Sequence, residues 1–287
     1  MTKTQIIIIL MIAIFAAIAC STAIFSQAAG TPYSYQTIRG EDVEIYGKGL
    51  YRHMSSDVAI QGIAQDYITL FLAIPLLIFA LIGSIKKSLR ARFCLAGIIF
   101  YLLITYTLYT AMAMYNSMFL VYVIIMALSF FSLFRLLWQI DLAELANNFS
   151  AAPTSLVGYF LIIISSIIGL LWLSSILPPL LDGSLYPAQL QHYTTLIVQG
   201  FDLGLFLPMA FVSGWLILKK HTLGLLFATV YIIFLAILMT ALSAKIIAMG
   251  MQGINIIPVV FIIPTFNLLS LAFAGYLLSK IKPAKMY

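Results

Sequence analysis

The stretch FCLAGIIFYLLITYTLYTAMAMYNSMFLVYVIIMALSFFSLF, from Phe93 to Phe134, contains no Asp, Glu, Lys or Arg. A membrane-spanning helix needs about 20 consecutive apolar residues. The stretch is too long for one span and right for two. Its single polar, turn-like spot is Met114-Tyr115-Asn116-Ser117. It therefore reads as a hairpin of two transmembrane helices, near 93–114 and 118–139. Working outward, similar apolar stretches lie near 5–27, 63–85, 155–178, 196–218, 222–246 and 255–279.

The whole composition agrees. Hydrophobic residues make up 63% of the 287 and charged residues 8%, whereas a soluble domain has roughly 45–50% and about 25%. The most polar stretch, Ala28 to Ile60, is too short to bury a core of its own. The fold class expected is all-α: a polytopic transmembrane bundle of eight helices, forming one domain over residues 1–287.

The formal charge of +6 could suggest nucleic acid in a soluble protein. In a membrane protein, Lys and Arg instead collect on cytoplasmic loops. With the N-terminus inside, Lys3, Lys86, Lys87, Arg90, Arg92, Arg135, Lys219, Lys220, Lys280, Lys282 and Lys285 are all cytoplasmic. Only Arg39, Lys48, Arg52 and Lys245 are outside. Both termini are therefore expected in the cytoplasm. The long connections, 28–62 and 179–195, face outward, and the inner loop 140–154 has room for a short surface helix. Asn148-Phe149-Ser150 has the glycosylation pattern but falls on the cytoplasmic side. The sequence shows no tandem repeat of fixed period, which excludes solenoids but not a diverged inverted repeat.

Cys20 follows Lys3 and an apolar run in a weak likeness to a lipoprotein cleavage site. The run from Gln5 to Ser26 is long enough to span, so an uncleaved first helix is expected. Cys20 and Cys94 are too far apart for a C-x-x-C motif and read as core residues.

Ionisable residues within spans are expensive and usually functional. Asp66, Asp202 and Lys245 lie in or beside spans at the outer side, with Arg52, His53 and His192 nearby. Asp202 and Lys245 invite pairing. The plainer reading is one interhelical ion pair, or a lysine snorkelling to the interface; the functional one is an outward-facing polar pocket. Pro208 should kink the sixth span, since its ring crowds the Gly204 carbonyl. Pro75, Pro258 and Pro264 invite similar breaks, and Gly200 with Gly204 allows close helix approach. Tyr101, Thr105 and Tyr109 form one polar-aromatic face of the third span, with Tyr106 beside it. Tyr115 and Tyr122 continue that face.

Other chemistry is missing. There is no H-E-x-x-H, no G-x-S-x-G and no phosphate-binding glycine loop, so no catalytic residue is assigned. None of the three histidines lies mid-span, which argues against haem. No metal or cofactor is expected. The partners expected are the lipid bilayer, a small-molecule ligand and a membrane subunit, not nucleic acid.

Gly49-Leu50-Tyr51-Arg52, Gln65-Asp66 with Thr69-Leu70 and Pro75, Ser88-Leu89-Arg90-Ala91-Arg92, Phe119-Leu120-Val121-Tyr122, and Asp202-Leu203-Gly204 with Pro208 occur together. This set resembles an uncharacterised family of bacterial multi-pass membrane proteins in which a G-L-Y-R segment precedes a D-x-x-T-L helix. The resemblance implies a prokaryotic cell (inner) membrane and draws attention to Arg52, Asp66 and Asp202. It carries no activity. The candidate ligand-binding residues are thus Asp66, Asp202, Lys245, Arg52, Tyr101 and Tyr109. They would bind, transport or sense a small solute. The alternatives are a scaffold subunit without ligand, in which these residues only knit helices together, and an intramembrane lipid-modifying enzyme.

Overall fold

A computed structural model describes residues 1–26, 29–149 and 154–281. Lys282 and Lys285 of the charge count and Ser150 of the glycosylation pattern lie outside them. Among the described residues, eight helices are long and apolar enough to cross a membrane, so the chain is a predominantly helical, multi-pass membrane protein. They are α1 (Lys3–Phe25), α2 (Ser56–Ile85), α3 (Leu89–Met112), α4 (Phe119–Trp138), α6 (Ser155–Leu181), α7 (Ile197–Leu218), α8 (Thr222–Met251) and α9 (Val259–Lys280). The short helix α5 (Leu142–Phe149) occupies the loop where a surface helix was expected.

Local chemistry sets the ends. Thr2 caps α1 by accepting from the Gln5 amide, and the Gln5 side chain accepts in turn from the Thr2 amide, a capping box. Ser88 caps α3 by accepting from the Ala91 amide. Asn116 accepts from the Met118 amide through its side chain at 2.9 Å, making the turn between α3 and α4. Pro258 sits just before α9 rather than inside it; Pro264 is the proline within that helix. The segment after α1 forms a two-stranded hairpin, β1 (Tyr33–Gln36) and β2 (Asp42–Ile45). It was not expected from the sequence, although Tyr33-Ser34-Tyr35-Gln36 and Asp42-Val43-Glu44-Ile45 each alternate over the shortest run that signals a strand.

The chain folds into two compact units. The first comprises residues 1–33, 44–141 and 229–287. In it α3 packs against α2 and α4, and α1 against α4. Gly97 of α3 lets the backbone of α8 approach: a Cβ there would lie 2.5 Å from Ile233 Cγ2 and 3.2 Å from the Val230 carbonyl. Phe100 then packs its ring against Phe234 at 4.6 Å. A cavity of about 590 Å³ lies near the start of α1 and the end of α4, lined by Gln5, Phe131, Arg135, Trp138 and Gln139 among others.

The second unit comprises residues 34–43 and 142–228. Its core is the pairing of α6 with α7, where Gly158 and Gly214 meet backbone to backbone. A Cβ on Gly158 would lie 2.9 Å from the Gly214 carbonyl, and one on Gly214 2.7 Å from that of Gly158. Small residues let membrane helices approach this closely. Gly200 and Gly204 were expected to do so, but a Cβ on either would meet nothing within 4 Å among the described residues.

Candidate functional site

Asp66 stands ten residues into α2, about 15 Å along it at 1.5 Å per residue. It is deeper than its expected place near the helix start. The helix begins at Ser56, seven residues before the apolar stretch that marked it in the sequence. A first turn carrying Asp57 suits the positive end of the helix dipole, yet an apolar count cannot register it.

Asp66 is 1% exposed, and tyrosines surround it. Tyr51 donates to Asp66 Oδ2 at 2.6 Å. The Tyr109 hydroxyl lies 3.0 Å from the Gly62 carbonyl and 3.3 Å from Asp66 Oδ1, so its single proton is shared. Tyr51, Tyr106, Tyr109 and Tyr122 make edge or tilted ring contacts at 5.6–6.1 Å between centroids. Such pairs favour offset and T-shaped arrangements. The buried Tyr122 hydroxyl makes no hydrogen bond of normal length among the described residues; Tyr51 and Asn116 are its polar neighbours. Cys20 Sγ lies 3.4 Å from Tyr106 Oη and also reaches Asp66. The Lys245 ammonium on α8 is close enough for its charge to act on Asp66.

One turn along α2, Thr69 donates to the Gln65 carbonyl at 2.9 Å. Its proton is thereby committed, so Tyr101 donates to Thr69 Oγ1, at 2.8 Å. Gln65 Nε2 donates to Thr105 Oγ1 at 2.9 Å. The four-residue spacing of Tyr101, Thr105 and Tyr109 therefore meets a matching stripe on α2.

Tyr51 reaches the site because the chain turns sharply before it. Gly47 has φ +75° and would put a Cβ 2.0 Å from the Thr31 carbonyl, so only glycine fits. The Leu50 amide donates to Ser26 Oγ at 2.9 Å, tying the segment to the end of α1. Gly62 clears room for the ring: its Cβ would stand 3.2 Å from Tyr51 Cε2.

Just beyond Asp66 the helix is broken. Residues Thr69–Ala73 form a π-helical turn, closed by the Ile74 amide donating to the Thr69 carbonyl, and Pro75 follows. Proline removes a donor and crowds the carbonyl four residues earlier. Widening the turn relieves the crowding, and π-turns of this kind recur at functional sites. A carbonyl in this turn has lost its helical donor, and in a membrane such groups must be paired or line a wet cavity.

Asp202 belongs to the second unit. Trp172 Nε1 of α6 donates to Asp202 Oδ2 at 2.7 Å. Asp202 opens a second π-helical turn, Asp202–Phe206, ahead of Pro208. The break expected from Pro208 thus exists as a widened turn.

The remaining expectations divide. Tyr101 and Tyr109 are in the cluster, and Tyr122 joins it. Tyr115 is 81% exposed, at the turn after α3. Arg52 is exposed and donates through Nε to its neighbour His53 at 3.1 Å. Arg39, in the second unit, donates to the backbone carbonyls of Gln191 and Tyr193 and covers the Tyr186 ring at 5.4 Å. In the connection after α6 the Ser184 amide donates to Asp182 Oδ1 at 2.9 Å and holds that exposed carboxyl below the usual range. No group of three or more His, Cys, Asp or Glu able to hold a metal occurs among the described residues.

Comparison with family models, with curated proteins and with solved structures gives no match. The site is therefore read from its own residues. Sequence reasoning missed Tyr51, Cys20, Gln65 and Trp172 as members of these clusters. Tyr51 and Gln65 stood in the quoted motifs, Tyr51 closely following the glycine pair Gly47 and Gly49 and Gln65 beside Asp66.

Proposed function

We propose that this chain is a membrane transport protein in which Asp66 holds a small monovalent cation that accompanies or drives a solute. The observation that carries the reading is the position of Asp66: a buried carboxylate within a transmembrane helix, one turn before a proline-broken segment. Carboxylates inside membranes mark ion and proton pathways. Broken helices with unwound carbonyls coordinate coupling ions in transporters of known mechanism. The oxygens at hand are the Asp66 carboxylate, the Tyr51, Tyr109 and Tyr122 hydroxyls and a carbonyl of the broken turn. Lys245 is the built-in counter-charge, which an entering cation displaces. The positive charge of the connections after α2, α7 and α9 supports an orientation with both termini in the cytoplasm. The family resemblance supports a prokaryotic inner membrane.

Thermal unfolding of the full chain in mild detergent tests this, in sodium chloride against equal N-methyl-glucamine chloride. A bound ligand at a hundred times its Kd stabilises by about 2.7 kcal/mol. Wild type is expected to be stabilised by sodium and Asp66→Asn is not; equal stabilisation of both refutes the role of Asp66.

A second reading has its own observation. Tyr51, Tyr109 and the field of Lys245 already satisfy Asp66, which suits a scaffold whose polar residues only join helices. That reading expects no sodium effect in wild type and a general loss of stability in Asp66→Asn. Lys245→Met added to it would then recover some of the loss, because an unpaired buried charge costs more than none.

A further inference from the structure

The two broken helices are copies of each other. Pro75 and Pro208 stand 133 residues apart, and the same offset relates the backbone features around the two breaks. The π-helical turns Thr69–Ala73 and Asp202–Phe206 match in place and length. Each is closed by the same bond, Ile74 amide to Thr69 carbonyl and Leu207 amide to Asp202 carbonyl. Each entry amide is shared between two carbonyls, Thr69 to Asp66 and Gln65, Asp202 to Gln199 and Val198. Twelve-residue helical segments follow, Ile74–Ile85 and Leu207–Leu218. Both end at a Lys-Lys pair whose second lysine has positive φ, 62° at Lys87 and 56° at Lys220.

The match continues past the turn. The bonds Ser88 to Gly83 and His221 to Leu216, both backbone, are equivalent, at 3.1 and 3.0 Å. In α3, Thr107 and Thr110 donate to the carbonyls four residues back, Leu103 and Tyr106. In α8, Thr240 and Ser243 at the same offset donate to Ala236 and Met239. Gly97 and Val230, also equivalent, touch where α3 meets α8. Contact between equivalent residues is what a two-fold relation between two helices produces. A lysine turn alone is a common helix ending; a π-turn, a proline, a turn and two hydroxyls in one register are not explained by it. Three spans lie between α2 and α7, so the chain runs through both copies in the same direction, unlike the inverted repeat left open by the sequence.

We infer that the chain is a duplicated four-helix unit and that the broken turn of α7 is a second monovalent-cation site, with Asp202 as its carboxylate. The inference rests on the reading of Asp66 as a cation site. In the register of the repeat, Thr69 corresponds to Asp202 and Asp66 to Gln199. Each copy therefore keeps one carboxylate at its break, displaced by one helical turn. Corresponding broken segments in the two halves of a membrane protein point to where ions and substrates bind. Trp172 orients Asp202 as Tyr51 orients Asp66.

The test is the stoichiometry of radioactive sodium bound to the purified full chain at saturation, with gel filtration to confirm folded protein. Wild type is expected to bind about two ions per chain, Asp66→Asn and Asp202→Asn one each, and the double variant none. The variant Gln199→Asp with Asp202→Thr moves the carboxylate to the position Asp66 holds in the first copy, and is expected to bind two again. One ion in wild type that survives Asp202→Asn overturns the second site and leaves the Asp66 reading standing. No ion in wild type, or binding untouched by Asp66→Asn, overturns both. One ion rather than two in the relocated variant overturns the equivalence of the breaks.

Discussion

Removing the Tyr51 hydroxyl gives a direct measure of how Asp66 is held. Tyr51→Phe keeps the ring in the space that Gly62 leaves for it and deletes only the 2.6 Å bond to Asp66 Oδ2. A hydrogen bond to a charged group contributes about 1.5–3 kcal/mol net, and this one is short and buried. Tyr109 cannot take over, since its proton is shared with the Gly62 carbonyl and its distance to Asp66 is 3.3 Å. The expected loss is about 2 kcal/mol of stability. Reversible unfolding of wild type, Tyr51→Phe, Asp66→Asn and the double variant in mixed micelles closes a double-mutant cycle. The coupling energy should be about 2 kcal/mol. Independent sites add within about 0.3–0.5 kcal/mol, so a coupling inside that margin would refute the bond as the element that fixes Asp66.

Other outcomes follow from the same geometry. Gly97→Ala places a Cβ 2.5 Å from Ile233 Cγ2 and should cost about 1–3 kcal/mol by overpacking, with partial recovery when Ile233→Ala is added; thermal unfolding reads both. Trp172→Phe removes the 2.7 Å bond to Asp202 and should lower the melting temperature, by an amount worth about 1.5–3 kcal/mol, and not when Asp202→Asn is already present. Pro75→Ala returns an amide to the broken turn, so it should raise stability while abolishing stabilisation by sodium. Arg39→Ala frees the carbonyls of Gln191 and Tyr193, and limited proteolysis should then cut the connection between α6 and α7 faster, with no change at the α3–α4 turn.

The spans were legible because lipid imposes one simple requirement, a long apolar run, and Phe93 to Phe134 displays it twice over. Their ends were less legible: α2 starts at Ser56 because its polar first turns are stabilised by the helix terminus, not by lipid. The face of α3 carrying Tyr101, Thr105 and Tyr109 followed from helical spacing, and the broken turns followed from Pro75 and Pro208. The cluster around Asp66 was not legible as a whole. Tyr51 reaches it only through the turn at Gly47, and Cys20 only through the packing of α1, both long-range consequences of folding. The duplication was hidden by side-chain divergence, since Asp66 corresponds to Gln199 and Thr69 to Asp202 in register. The spacing from proline to double lysine, identical in both halves, and the hydroxyl pairs Thr107/Thr110 and Thr240/Ser243 were its visible traces.

The central claim is that Asp66 is a working carboxylate and not only part of a polar core. Its most direct test is exchange of radioactive sodium into sodium-loaded vesicles containing the full chain. Wild type should exchange sodium faster than Asp66→Asn reconstituted at equal density, whose rate should fall to that of protein-free vesicles. Exchange by Asp66→Asn at the wild-type rate would contradict the account.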